Sequence, residues 1–123
     1  MHEKVYRIEW VQDIAVVRFL QVPTADDIHA AIAELATIQP RKRLWILPDS
    51  FGELSSDELK RLAIFAKNKF RSPSRMAIVA PSDLSYGQAN IYHAYRTDDR
   101  SAEHVFRTEA EAIAWLQREE DSD

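Results

Sequence analysis

Two stretches carry the residue types from which an active site could be assembled: "PDSFGELSS", residues 48–56, and "PSDLSYG", residues 81–87. Each follows an apolar run, opens with proline, and sets an acid beside a hydroxyl: Asp49 with Ser50 in the first, Ser82 with Asp83 in the second. A serine nucleophile needs a base within hydrogen-bond reach. The chain offers His2, His29, His93 and His104. Only His93 shares a helical segment with Ser82, and at 1.5 Å of rise per residue it lies roughly 15 Å from that helix's start. No G-x-S-x-G elbow occurs to lift a serine onto a strained turn. The histidines also lack H-E-x-x-H spacing, and neither Gly52 nor Gly87 sits in a phosphate-cradling G-x-G-x-x-G or G-x-x-x-x-G-K-[ST] pattern. A phosphoaspartate at Asp49 would need an acidic pair to hold a divalent ion and a lysine after a later strand. The chain supplies Asp13 alone for the first, and Arg107 and Thr108 where the second would stand. The pattern predicts no catalytic constellation, no metal site and no cofactor. Asp, Ser and Gly are equally the residues of turns and caps, because short polar side chains bond nearby backbone.

The elements that must position these loops follow from periodicity. "KVYRIEW" and "IAVVRFLQV" are β-rich runs separated by Val11 to Asp13, a spacing suited to a tight antiparallel connection. Pro23 and Thr24 precede "ADDIHAAIAELATI", where Ile28, Ala31, Ile32, Leu35 and Ile38 recur at helical spacing, with Asp26 and Asp27 favourable in the first turn. Pro40 ends this helix. "RLWILP" is continuously apolar from Leu44 to Leu47, as expected of a strand covered on both faces. Ser55 and Glu58 then form an S-x-x-E capping box for a helix whose apolar stripe is Leu59, Leu62, Ala63, Ala66 and Phe70. "RMAIVAP" repeats the buried-strand pattern, and Ser82 is the expected N-cap of a third helix burying Leu84, Ile91, Tyr92 and Tyr95. "EHVFR" leads to a last helix with Thr108 and Glu111 as a second capping box and Ala112, Ile113, Trp115 and Leu116 as its apolar contact. The order is strand, strand, helix, strand, helix, strand, helix, strand, helix. It predicts an α/β fold: a single mixed, mostly parallel five-stranded sheet with four helices, spanning residues 1–118, with 119–123 a frayed acidic tail.

Composition limits the partners. With 123 residues, 46% of them hydrophobic and 29% charged, the chain has the material for one core. A formal charge of −4 gives little attraction for phosphate backbones, so nucleic acid is not expected. No cysteine is present, which excludes disulfides and thiolate chemistry. No segment approaches the roughly 20 apolar residues of a membrane span, and "MHEKVYRIEW" lacks the apolar stretch of a secretion signal; a cytoplasmic location is the expectation.

With the elements in order, the chain resembles the anti-sigma-factor antagonist (STAS) fold, in particular its SpoIIAA-like, STAS/SEC14-like branch of small bacterial proteins. "RMAIVAPSDLSYGQANIYHAYR" followed by "HVFRTEAEAIAWL" looks like the recurring strand, helix, strand and "EAxAWL" ending of those proteins. In phosphorylation-switched antagonists a D-S-S-G motif follows the central strand, and the serine directly before glycine accepts the phosphate. This chain reads Asp49, Ser50, Phe51, Gly52, so the acceptor position holds a residue that cannot be phosphorylated. The resemblance implies a non-enzymatic regulatory or protein-binding module lacking that switch. In an open α/β sheet the loops beyond the strands' carboxyl ends are the expected contact rim. If the two central strands are neighbours, Asp49, Ser50, Phe51 and Gly52 share that rim with Ser82, Asp83 and Tyr86. Phe51 would be its aromatic anchor for a protein partner. The SEC14 side of the resemblance implies a small apolar or anionic ligand instead, in a cavity lined from Leu84, Tyr86, Tyr92 and Phe65. Trp10, Trp45 and Trp115 cannot all be placed in the core, which makes a homodimer a further expectation.

Overall fold

The computed structural model describes residues 5–49, 54–70, 74–96 and 101–118. Its elements run β1 (Tyr6–Val11), β2 (Ile14–Phe19), α1 (Ala25–Ala36), β3 (Lys42–Ile46), α2 (Ser56–Lys69), β4 (Ser74–Val79), α3 (Asp83–Arg96), β5 (Ser101–Phe106) and α4 (Glu109–Gln117). The strands form one five-stranded sheet in the order β1-β2-β3-β4-β5. β1 is antiparallel to β2, and each later pairing is parallel. The mixed α/β sheet with four helices is thus as the element order predicts.

Right-handed crossovers between successive neighbours carry α1, α2 and α3 to one face of the sheet. The side-chain alternation of the strands matches. Ala15, Val17, Phe19, Trp45, Met76 and Ile78 point into a core shared with those helices. Ile14, Val16, Leu44, Ala77 and Val79 point the other way, onto Ala112 and Leu116 of α4. Burial on both faces is why β2, β3 and β4 read as unbroken apolar runs rather than alternating ones.

Each helix begins where a cap is available. Thr24 caps α1: its Oγ1 accepts the Asp27 N–H (3.2 Å), and Asp27 Oδ2 accepts the Thr24 N–H (2.8 Å). Ser55 and Glu58 close the expected box on α2 at 3.1 and 2.9 Å. At α4, Thr108 Oγ1 accepts the Glu111 N–H (3.3 Å), but the return bond runs from the Thr108 hydroxyl to Glu111 Oε1 (3.0 Å), not from its backbone. α1 stops at Ala36, short of the expected end. The Thr37 hydroxyl donates back to the Glu34 carbonyl (2.7 Å) and Gln39 turns into the left-handed region at φ 44°, leaving Ile38 exposed rather than in the core.

α3 corrects the sequence expectation. The residues turned inward are Ser85, Gln88, Ala89 and Tyr92, while Leu84 and Tyr95 are solvent-exposed and Ile91 is half-buried. Ser85 can be buried because its hydroxyl lies 3.0 Å from that of Ser82 and 3.2 Å from the Ser82 N–H. Polar residues with local partners thus occupy the inner face, and apart from Tyr92, which is buried as expected, the face is rotated by roughly 70° from the one that apolar content suggests.

The three tryptophans divide. Trp45 is buried, Trp115 half-buried, and Trp10 exposed. Arg43 is sealed in the core at 1% exposure, its guanidinium 3.9 Å over the Phe70 ring, with Nη1 donating to the Pro40 carbonyl at 3.2 Å. On the other face, polar bonds complete what a single helix cannot cover. Lys42 reaches Asp13 (3.0 Å) and Gln117 (2.9 Å), and Arg18 pairs with Glu109 at 3.2 Å. Arg75 donates to the carbonyls of Trp115 (3.1 Å) and Arg118 (2.9 Å), where a helix end leaves acceptors open. Among the described residues no helix is long and apolar enough to cross a membrane.

Candidate functional site

The parallel register of β3, β4 and β5 brings three chain segments out side by side. Ile46 pairs with Val79 and Val79 with Phe106. Two further bonds carry the ladder past the strand ends, Leu47 N–H to Val79 O (3.0 Å) and Ala80 N–H to Phe106 O (2.8 Å). Asp49, Ser82 and Arg107 therefore emerge on one rim.

Ser82 is the expected N-cap of α3. Its Oγ accepts the Ser85 N–H at 3.0 Å, and its carbonyl accepts the Tyr86 N–H at 2.9 Å. The Ser82 hydroxyl proton goes to the carbonyl of Asp49, tying the loop after β3 to the loop after β4. A hydroxyl has one proton to give, so this bond commits Ser82 to structure. Arg107 braces the rim from β5. Its Nη2 lies 3.1 Å from both the Pro81 carbonyl and Asp83 Oδ1, and its guanidinium stands 5.1 Å from the Tyr86 ring centre. The Asp83 side chain is 98% exposed, so its ion pair is of the solvent-screened kind worth less than about 1 kcal/mol.

Of the expected rim residues, Asp49, Ser82, Asp83 and Tyr86 are brought together. Ser50, Phe51 and Gly52 lie outside the described residues. Sequence reasoning missed two members. Arg107 was visible only as the residue after a strand, and its place depends on β5 lying next to β4. Leu84, expected in the core, stands 58% exposed in the first turn of α3.

The three described histidines are occupied elsewhere. His29 stacks on Phe65 with ring centres 3.8 Å apart, and His104 lies against Phe106 and Trp115 at 4.7 and 5.9 Å. His93 Nδ1 is 2.8 Å from Oε1 of Glu103, whose side chain is 4% exposed. The hydrogen bond to that carboxylate raises the His93 pKa above its ordinary value, against the opposing effect of partial burial. Among the described residues no group of three His, Cys, Asp or Glu side chains could hold a metal ion.

Two concavities bear on the ligand expectation. A recess of about 30 Å³ lies below the rim between Phe19, Trp45, Leu47, Leu62, Ala89 and Tyr92. That is room for one or two waters, not for an acyl chain. It contains Tyr92 but not Leu84, Tyr86 or Phe65. Phe65 instead lines an open surface cleft of about 730 Å³ between α1 and α2, with His29, Ala33, Ala36, Asn68 and Lys69.

No family model matches the chain, and neither a curated protein nor a solved structure matches it.

Proposed function

We propose that the protein is a non-enzymatic regulatory module that engages a protein partner through the rim of Asp49, Ser82, Asp83, Leu84, Tyr86 and Arg107. The observation that carries this reading is Leu84, a large apolar side chain 58% exposed in the first turn of α3, the turn that also carries Asp83 and Tyr86. Burying the exposed part of that side chain against a partner contributes about 1–2 kcal/mol of transfer energy. Exposed apolar residues near charged and aromatic ones are a common feature of contact patches. The Ser82 bond to Asp49 and the Arg107 bond to Pro81 hold these residues in place beforehand, which lowers their ordering cost on binding.

The resemblance to anti-sigma-factor antagonists points the same way. Where those proteins carry a phosphoacceptor serine, this chain has Phe51, an aromatic suited to contact with no hydroxyl to modify.

Affinity capture from native cells tests the reading with the wild type, Leu84→Asp and Phe51→Ala. A specific partner held by the wild type and lost by Leu84→Asp is the expected result. Identical captures from the wild type and Leu84→Asp would remove the rim from consideration.

A further inference from the structure

β1 is an edge strand and, among the described residues, pairs only with β2. Its hydrogen-bond phase can be fixed. The Val5 carbonyl accepts the Leu20 N–H at 2.7 Å, and Val11 pairs with Ile14 across the two-residue turn of Gln12 and Asp13. Alternation along an antiparallel ladder then turns the backbone groups of Val5, Arg7, Glu9 and Val11 toward β2. Those of Tyr6, Ile8 and Trp10 point outward, away from the sheet. Side chains alternate as well: Tyr6, Ile8 and Trp10 project to the three-helix side, Arg7 and Glu9 to the α4 side.

The edge reads the same in both directions by chemical type. Tyr6, Arg7, Ile8, Glu9 and Trp10 run aromatic, charged, aliphatic, charged, aromatic, and the two charges have opposite sign. We infer that β1 is a self-complementary docking edge, and that a second copy of this chain pairs with it antiparallel about Ile8 to make one continuous sheet. In that register the outward N–H and C=O groups of Ile8 meet those of its copy, and those of Tyr6 meet those of Trp10. On the α4 side each Arg7 stands opposite a Glu9 in a non-hydrogen-bonded position, where cross-strand side chains approach most closely. On the other side each Trp10, 56% exposed in the single chain, packs against a Tyr6. Arg7 and Glu9 now lie 2.8 Å apart on their own strand, with side-chain exposures of 55% and 34%, so both are accessible to a facing copy.

Edge strands are ordinarily protected by charges that repel a second edge. Here the charges attract. The opposite edge shows the contrast: centred on Glu103, β5 would set two carboxylates against each other, and centred on His104 it would oppose Glu103 with Val105.

Sedimentation velocity of the full chain, carried from micromolar into the millimolar range, tests the inference with Arg7→Glu and Glu9→Arg, each checked for folding by circular dichroism. The wild type should form a dimer. Each variant alone places like charges opposite and should weaken self-association by roughly tenfold or more. Mixing the two variants restores Glu opposite Arg at both positions, so a heterodimer of near wild-type strength should form. A wild type that stays monomeric throughout would overturn the inference. So would single variants that associate as tightly as the wild type, or folded variants whose mixture fails to recover.

Discussion

Under α1, α2 and α3 the sheet meets a mainly apolar layer in which Ala31, Ile32, Leu35, Leu59, Leu62 and Ala63 are closed from solvent, interrupted by Arg43 of β3 and by Ser85 and Gln88 of α3. On the opposite face α4 stands alone. It brings Ala112 and Leu116 to full burial with Ile113 and Trp115 packed half-buried beside them, and polar bonds supplement that contact: Arg18 to Glu109, Lys42 to Gln117, and Arg75 to the carbonyls of Trp115 and Arg118. One face rests on hydrophobic burial, which salt hardly weakens. The other supplements a narrow apolar strip with surface charges, which salt screens. The rim draws on both faces, since α3 belongs to the first and Arg107 leads into α4.

The two faces should differ most in how their cores respond to a cavity. Leu59→Ala should cost about 3–5 kcal/mol, because α1 and α3 hold its surroundings open around the cavity, whereas Leu116→Ala should cost about 2–3, because a single helix can settle into the gap. Urea unfolding of both variants measures the difference; equal losses would erase the distinction between the faces.

A smaller effect separates them by salt. Lys42→Met removes the pair with Asp13, whose carboxyl is held below the usual range chiefly by its hydrogen bond to Lys42. The loss should be small and shrink as sodium chloride is raised. Leu59→Ala should show no such dependence. Melting temperatures at low and high salt provide the check.

The smallest expected effect lies on the three-helix face, where His93 of α3 meets Glu103 of β5. Its folded pKa is raised above the ordinary 6.5, so its contribution is fully present below 6.5 and is lost as pH rises through the higher folded value. Wild-type stability should therefore fall over that window while His93→Gln stays flat. A histidine NMR titration with a His93 midpoint at or below 6.5 would contradict the assignment.

Much of this architecture was legible in the chain. Ser55 with Glu58 announced α2, Thr108 with Glu111 announced α4, and the unbroken runs around Leu44 and Ile78 announced strands covered on both faces. These signals are local, so tertiary context had little to override. The inner face of α3 was not legible, since Ser85 and Gln88 occupy buried positions while Leu84 and Tyr95 meet solvent. Hydrophobic periodicity cannot register a polar residue whose partner lies one turn away, and an exposed leucine breaks no physical rule. Arg43 was hidden for a related reason: a charge within an apolar run suggests a strand end, not a guanidinium laid on the Phe70 ring. Within the site, the meeting of Asp49 with Ser82 followed from neighbouring parallel strands. The Arg107 brace required knowing that β5 lies beside β4.

If the rim engages a partner, Leu84 sits at the contact. A photo-crosslinking amino acid placed at position 84, and separately at position 38 as a control, tests it most directly, since Leu84 and Ile38 are exposed to similar degrees at 58% and 50%. Illumination in native cells should give a discrete adduct to one protein from position 84, abolished by Arg107→Glu, and none from position 38. The same adducts from both positions, or none from position 84, would contradict the account.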